Sequence, residues 1–146
     1  MPLKIYFSAP IKGDRSNLQT NKFIVDFLKE AGYTILTEHV VSENAVEKGM
    51  SPKQIYLRDM KWLEECRVLI AEVSYPSLGV GFEIAKALLL GKSVICLLKK
   101  ELKEKCSLLI RGIQDPKFEI IEYTDLSELK VKLLRTLSNL ETQNKT

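Results

Sequence analysis

The chain has 146 residues, 45% of them hydrophobic and 28% charged, with a formal net charge of +3. That is the balance of one globular domain, too short for two proper cores and too apolar for a disordered chain. The charge is too small and too evenly spread for a nucleic-acid-binding face, no run reaches the length of a membrane span, and the start lacks a signal-peptide pattern, so a cytosolic protein is expected, a nuclear one not being excluded.

Hydrophobic periodicity predicts a first strand over 4–8, followed by the loop SAPIKGDR at 8–15, and then a helix over 17–31 closed by Gly32. A second strand is expected over 34–37 and a helix over 52–65. A third strand over 68–73 leads through the loop SYPSLGVGFE, 74–83, into a helix over 79–90 that Gly91 closes. A fourth strand over 93–98, a helix over 102–110 with Gly112 as a similar stop, a fifth strand over 119–122 and a helix over 126–140 complete five βα units. The polar residues 141–146 read as a frayed tail, which leaves 1–140 as the folded domain. In the last helix Leu126, Leu129, Leu133, Leu137 and Leu140 form one stripe, the pattern of a core face.

The third and fourth strands, VLIAEV and SVICLL, are almost wholly apolar, as strands are when helices cover both faces of a parallel sheet. The expected fold is therefore a single-domain α/β structure: a doubly wound, five-stranded parallel sheet of flavodoxin-like or Rossmann-like order 2-1-3-4-5. In that order the first and third strands end side by side at the topological switch point, where ligands bind. The loops leaving those two ends are the ones richest in Gly, Pro and Ser.

Three cysteines, Cys66, Cys96 and Cys106, have no C-x-x-C spacing, which points to buried apolar residues rather than a disulfide framework or a zinc cluster. The single histidine, His39, cannot supply a three-nitrogen zinc site. Neither a metal nor a cofactor is expected.

The run Ser77-Leu78-Gly79-Val80-Gly81-Phe82-Glu83 lets backbone N–H groups approach a ligand and then delivers a carboxylate into the first turn of a helix. An acidic residue there also suits the helix dipole without any catalysis, so the motif alone leaves both readings open. It follows the third strand and lacks the G-x-G-x-x-G spacing, which disfavours a dinucleotide fingerprint.

Asp59 falls at helical spacing with Ile55, Trp62 and Cys66, so a carboxylate occupies a slot in an apolar stripe. Burial there would raise its pKa, as a general acid near neutral pH requires; an ion pair is the alternative. Asp59 and Glu83 together match the paired carboxylates of glycoside cleavage. Lys12, Gly13 and Arg15 give the first loop a composition that can hold phosphate, or simply a solvated basic turn. Tyr6, near the end of the first strand, fits either a carboxylate-orienting phenol or a core tyrosine, and His39 either a ligand contact or a polar rim residue.

Taken together, several segments resemble the nucleoside 2-deoxyribosyltransferase superfamily, most closely its 2'-deoxynucleoside 5'-phosphate N-hydrolase branch. They are Ile5-Tyr6-Phe7-Ser8 continuing into Ile11-Lys12-Gly13, Leu36-Thr37-Glu38-His39, Asp59 with Trp62-Leu63, Ala71-Glu72-Val73 followed by Pro76 through Glu83, and Ser107 with Ile110-Arg111-Gly112. The likeness covers nearly the whole chain.

The resemblance implies that Glu83 attacks C1' to form a covalent deoxyribosyl enzyme, that Tyr6 orients this carboxylate, and that Asp59 assists protonation of the departing base. It places Ser8, Ala9, Pro10, Ile11, Lys12, Gly13, Asp14 and Arg15 with Ser77 and Gly79 around the substrate and its 5'-phosphate, and His39 beside the base. It also places Ser107, with Leu109, at the phosphate from the other subunit, and so implies a homodimer as well as a nucleotide substrate. The first loop departs from the branch's pattern: Pro10 stands for a serine, Lys12 for an arginine and Asp14 for a glycine. A hydroxyl and a bidentate guanidinium are lost, while Lys12 keeps the positive charge. Other readings are a deoxyribosyltransferase, a ribonucleotide hydrolase, a nucleotide-binding sensor without turnover, and a flavodoxin-like interaction module.

Overall fold

The computed structural model describes residues 3–11, 16–42 and 49–143. In chain order the elements are β1 (Lys4–Ser8), α1 (Leu18–Glu30), β2 (Thr34–Ile35), a 3-10 turn (Glu38–Val41), α2 (Pro52–Glu65), β3 (Val68–Glu72), α3 (Leu78–Leu89), β4 (Ser93–Lys99), a second 3-10 segment (Lys100–Lys105), α4 (Leu108–Arg111), β5 (Phe118–Tyr123) and α5 (Leu126–Gln143). The five strands are all parallel, in the expected flavodoxin-like order β2-β1-β3-β4-β5.

Alternation along each strand divides the core between the two faces of the sheet. Ile5 and Phe7 of β1, with Ile70 of β3 and Ile95 and Leu97 of β4, pack with Ile24 and Leu28 of α1 and with Leu129, Leu133 and Leu137 of α5. Tyr6, Leu69, Ala71, Val94 and Cys96 face the other way, against Leu63 of α2 and Val80, Ile84 and Ala87 of α3. Cys66, Cys96 and Cys106 are buried and free. No described helix is long and apolar enough to cross a membrane.

Gly32 and Gly91 lie just past α1 and α3 with φ of 97° and 76°, the left-handed conformation that closes a helix. Gly112 ends α4 with a φ of −94°, so no left-handed cap forms there.

Three expected boundaries need correction. The helix expected over 102–110 is a 3-10 segment, then Cys106 in an extended conformation, then the four-residue α4 capped by Ser107. The stretch KELKEK has almost no apolar face, and helices owe most of their stability to packing such a face. The second strand stops at Ile35, because the Thr37 hydroxyl takes over the bonding to the edge of β1, accepting from Phe7 N at 2.9 Å and donating to Phe7 O at 2.6 Å. The last helix continues to Gln143, so residues 141–143 are helical rather than tail.

Candidate active site

Parallel pairing of β1 with β3 sets Ser8 level with Ala71, and α3 starts from the loop that leaves β3. Ser77 caps this helix, its hydroxyl oxygen accepting from Val80 N at 3.3 Å, and Glu83 is the sixth helical residue, beyond the first turn expected for it, facing back toward the end of β1. The Tyr6 hydroxyl donates to Oε2 of Glu83, and the Ser8 hydroxyl donates to Oε1 at 2.9 Å. Tyr6 and Ser8 are buried and Glu83 is half-buried. Burial pushes the Glu83 carboxyl up to about 8 from an ordinary 4.5, and the two hydroxyl donors oppose that shift by favouring the ionised form.

A second cluster surrounds Asp59 on α2. Arg58 holds its carboxylate, with Nε at 3.0 Å and Nη2 at 2.9 Å from Oδ1, so the unpaired carboxylate in an apolar stripe is not what forms. Only Leu63 of α2 is fully buried, and Ile55, Asp59 and Trp62 are half-buried, which leaves room for an ion pair on that face. The Arg58 guanidinium stacks over the Trp62 ring at 4.9 Å and lies 3.4 Å from His39 Nε2, and the His39 and Trp62 rings are 5.6 Å apart. The structure thus joins His39 to Asp59 through Arg58. The ion pair that the sequence left open as the alternative for Asp59 is the one that forms, with the neighbouring Arg58.

Ser77, Ser107 and Leu109 meet elsewhere, along an apolar groove of about 870 Å3 between α3 and α4, which Leu78, Gly81 and Ile110 also line. Glu83, Tyr6 and Ser8 are not among its walls. Gly79 is exposed in the first turn of α3. Ala9 and Pro10 are buried at the end of β1 and Ile11 is half-buried, whereas Lys12, Gly13, Asp14 and Arg15 lie outside the described residues.

Behind the sheet, on the α1 side, sits a buried carboxylate not anticipated as part of the site. Glu72 is 1% exposed, accepts from Ser74 N at 2.6 Å and from the Tyr123 hydroxyl, and burial raises its pKa. Ser74 in turn accepts from Lys99 N at 2.8 Å, so the loop that precedes α3 is fastened to the ends of β4 and β5. The signal was present as a lone glutamate in the apolar strand VLIAEV.

Chemically, a carboxylate anchored at both oxygens by hydroxyls on a rigid strand suits a nucleophile, since its position is set before the substrate arrives. Among the described residues no group of three or more His, Cys, Asp or Glu is arranged to hold a metal ion.

Comparison with known proteins points to one family. The family model described as nucleoside 2-deoxyribosyltransferase matches residues 5–121. A Thermofilum pendens protein named 2'-deoxynucleoside 5'-phosphate N-hydrolase 1 is 50% identical over 132 residues, spanning 90% of this chain and 92% of its own. The Mus musculus 5-hydroxymethyl-dUMP N-hydrolase is 35% identical over 130 residues, spanning 86% of this chain and 75% of its own. Among solved structures, the CMP N-glycosidase of Clostridium botulinum superposes with a TM-score of 0.63 at 28% identity, over 89% of this chain and 96% of its own. On the family match, the relatives and the shared fold, the chain belongs to the nucleoside 2-deoxyribosyltransferase family.

Proposed function

We propose that this N-glycosidase hydrolyses the N-glycosidic bond of 2'-deoxynucleoside 5'-monophosphates, releasing the free base and 2-deoxyribose 5-phosphate. The observation that carries the reading is Glu83, held between the hydroxyls of Tyr6 and Ser8 at the end of β1. In the first step a carboxylate oxygen of Glu83 bonds to C1', the C1'–N bond breaks with its electron pair going to the base, and Asp59 assists protonation of that base. In the second step water attacks C1' and gives up a proton, which balances the one taken by the base, and the C1'–O bond to Glu83 breaks with its electron pair restoring the carboxylate.

The names of the relatives support a nucleotide substrate. Ser77 fits a phosphate contact, because its oxygen accepts from Val80 N while its proton remains to donate. His39 borders the base. The first loop, with Lys12 and Arg15, surrounds the 5'-phosphate, and binding energy gathered there orients the sugar against Glu83.

In this reading the working unit is a homodimer. Leu78, Leu89 and Leu109 are 97%, 84% and 82% exposed along the groove between α3 and α4, an apolar face of a kind that monomers seldom leave to water. A second copy covers that face and brings Ser107 to the partner's phosphate.

The test is to incubate the protein with each deoxynucleoside monophosphate, and separately with a deoxynucleoside plus a second free base, following bases and sugars by chromatography. Free base with deoxyribose 5-phosphate is the expected outcome, and Glu83→Gln should abolish it while nucleotide binding persists. A new nucleoside in the second mixture, with no hydrolysis in the first, would make the chain a transferase.

A further inference from the structure

We propose that Ser8 is a second positioning residue for Glu83, rather than a contact to the substrate. The inference rests on Glu83 being the nucleophile. Ser8 is the last residue of β1 and 1% exposed, so little of it is available to a ligand, whereas its hydroxyl already donates to Glu83 Oε1 at 2.9 Å.

The geometry follows from strand alternation. Residues two apart on a strand project to the same face, so Tyr6 and Ser8 point together at α3, one hydroxyl to each carboxylate oxygen. The last torsion of a glutamate side chain is broad and roughly two-fold, and one donor leaves the carboxylate free to swivel about it. Two donors on separate oxygens fix the plane, and with it the line along which a lone pair meets C1'.

Both half-reactions use this clamp. When one oxygen of Glu83 forms the ester with C1' it gives up its negative charge, and the hydroxyl bonded to that oxygen holds it less tightly. When water displaces the ester, the charge returns and the hydrogen bond regains its strength, which favours release. Ser8 therefore acts through Glu83 twice in each turnover, without touching the nucleotide.

The experiment measures kcat and KM for deoxynucleoside monophosphate hydrolysis in Ser8→Ala, Ser8→Cys, Ser8→Thr and Glu83→Gln. Ser8→Ala should lower kcat about tenfold or more, the scale of one hydrogen bond to a charged group, while KM stays within about twofold. Ser8→Cys, with similar size and a weaker donor, should fall between Ser8→Ala and the natural protein. Ser8→Thr should recover much of the loss, and if its extra methyl prevents folding in this buried place the cysteine variant carries the test. A raised KM with kcat unchanged would overturn the inference in favour of a substrate contact, and unchanged values for both would overturn it outright. An inactive Glu83→Gln beside a fully active Ser8→Ala would remove the role of Ser8 and leave the nucleophile standing, whereas an active Glu83→Gln would remove both.

Discussion

The Tyr123 hydroxyl at the end of β5 donates to the carboxylate of Glu72 at the end of β3, although the strand between them, β4, separates the two in the sheet. The carboxylate also accepts from Ser74 N, so one buried side chain ties β5 to the loop that leads into α3 and hence to Glu83. A polar group buried in this way is stabilising only while its partners are in place.

Glu72→Ala leaves the Tyr123 hydroxyl and the Ser74 N–H without their acceptor, and should lower unfolding stability by about 2–4 kcal/mol. Tyr123→Phe removes a single donor and should be milder, about 1 kcal/mol. Urea unfolding followed by circular dichroism measures both. Equal and negligible shifts would mean that the loop before α3 is held by other contacts.

Burial sets the pH dependence of Glu83. A nucleophile has to be ionised, so kcat/KM should climb with pH through a midpoint at about 8 and level off above it. The second ionisation of the substrate phosphate, near about 6, adds its own limb, which a nucleoside lacking phosphate does not share. Stability moves the opposite way. A carboxyl whose pKa is raised by folding stabilises fully below its unfolded value of 4.5, and that contribution is lost as pH rises through about 8. Glu83→Gln should therefore match the natural protein in thermal unfolding near pH 4 and exceed it increasingly up to about pH 8, above which the difference levels off.

Most of the architecture was legible because it is written in apolar periodicity. VLIAEV and SVICLL declare buried parallel strands, and Gly32 and Gly91 mark helix ends that take left-handed conformations. What escaped was decided by side chains acting across the fold. Thr37 ends β2 by bonding to Phe7, thirty residues away in sequence, which no local propensity records. Arg58 neutralises the carboxylate that looked unpaired at Asp59, and KELKEK, with charges suited to a helix, has no apolar stripe to hold one. Within the site, the family resemblance paired Glu83 with Tyr6, but the bond from Ser8 to Glu83 depends on a β1-to-α3 contact visible only in three dimensions.

Gly81 offers a test in which stability and function separate. It lies inside α3 and lines the apolar groove, and a Cβ built there meets nothing within 4 Å, so nothing described in the chain itself requires a glycine. Glycine inside a helix costs about 1 kcal/mol relative to alanine. Gly81→Ala should therefore raise thermal stability slightly, yet weaken dimerisation or nucleotide affinity if a partner or substrate approaches the backbone at this place. Sedimentation velocity and nucleotide titration distinguish the two, and a variant that is more stable and otherwise unchanged would show that this stretch of α3 faces only solvent.

The placement of Ser107 can be tested by mixing protomers. Ser107 is exposed on the groove, and its oxygen accepts from Ile110 N at 3.3 Å, which leaves its proton to donate to a phosphate. Ser107→Ala should raise KM for deoxynucleoside monophosphates about tenfold while leaving the corresponding nucleosides nearly unchanged, because only the former lose a hydrogen bond to a charged group. Loss of the cap on α4 affects both substrate classes equally and is thereby separated from the phosphate contact. If the hydroxyl serves the neighbouring site, a heterodimer of Ser107→Ala with Glu83→Gln contains one complete site, with Glu83 from the first protomer and Ser107 from the second. Mixing the two variants at a limiting monophosphate concentration should then give more activity than Ser107→Ala supplies alone. If Ser107 serves its own chain, every Glu83 in the mixture sits beside an alanine, and no recovery is seen at any ratio.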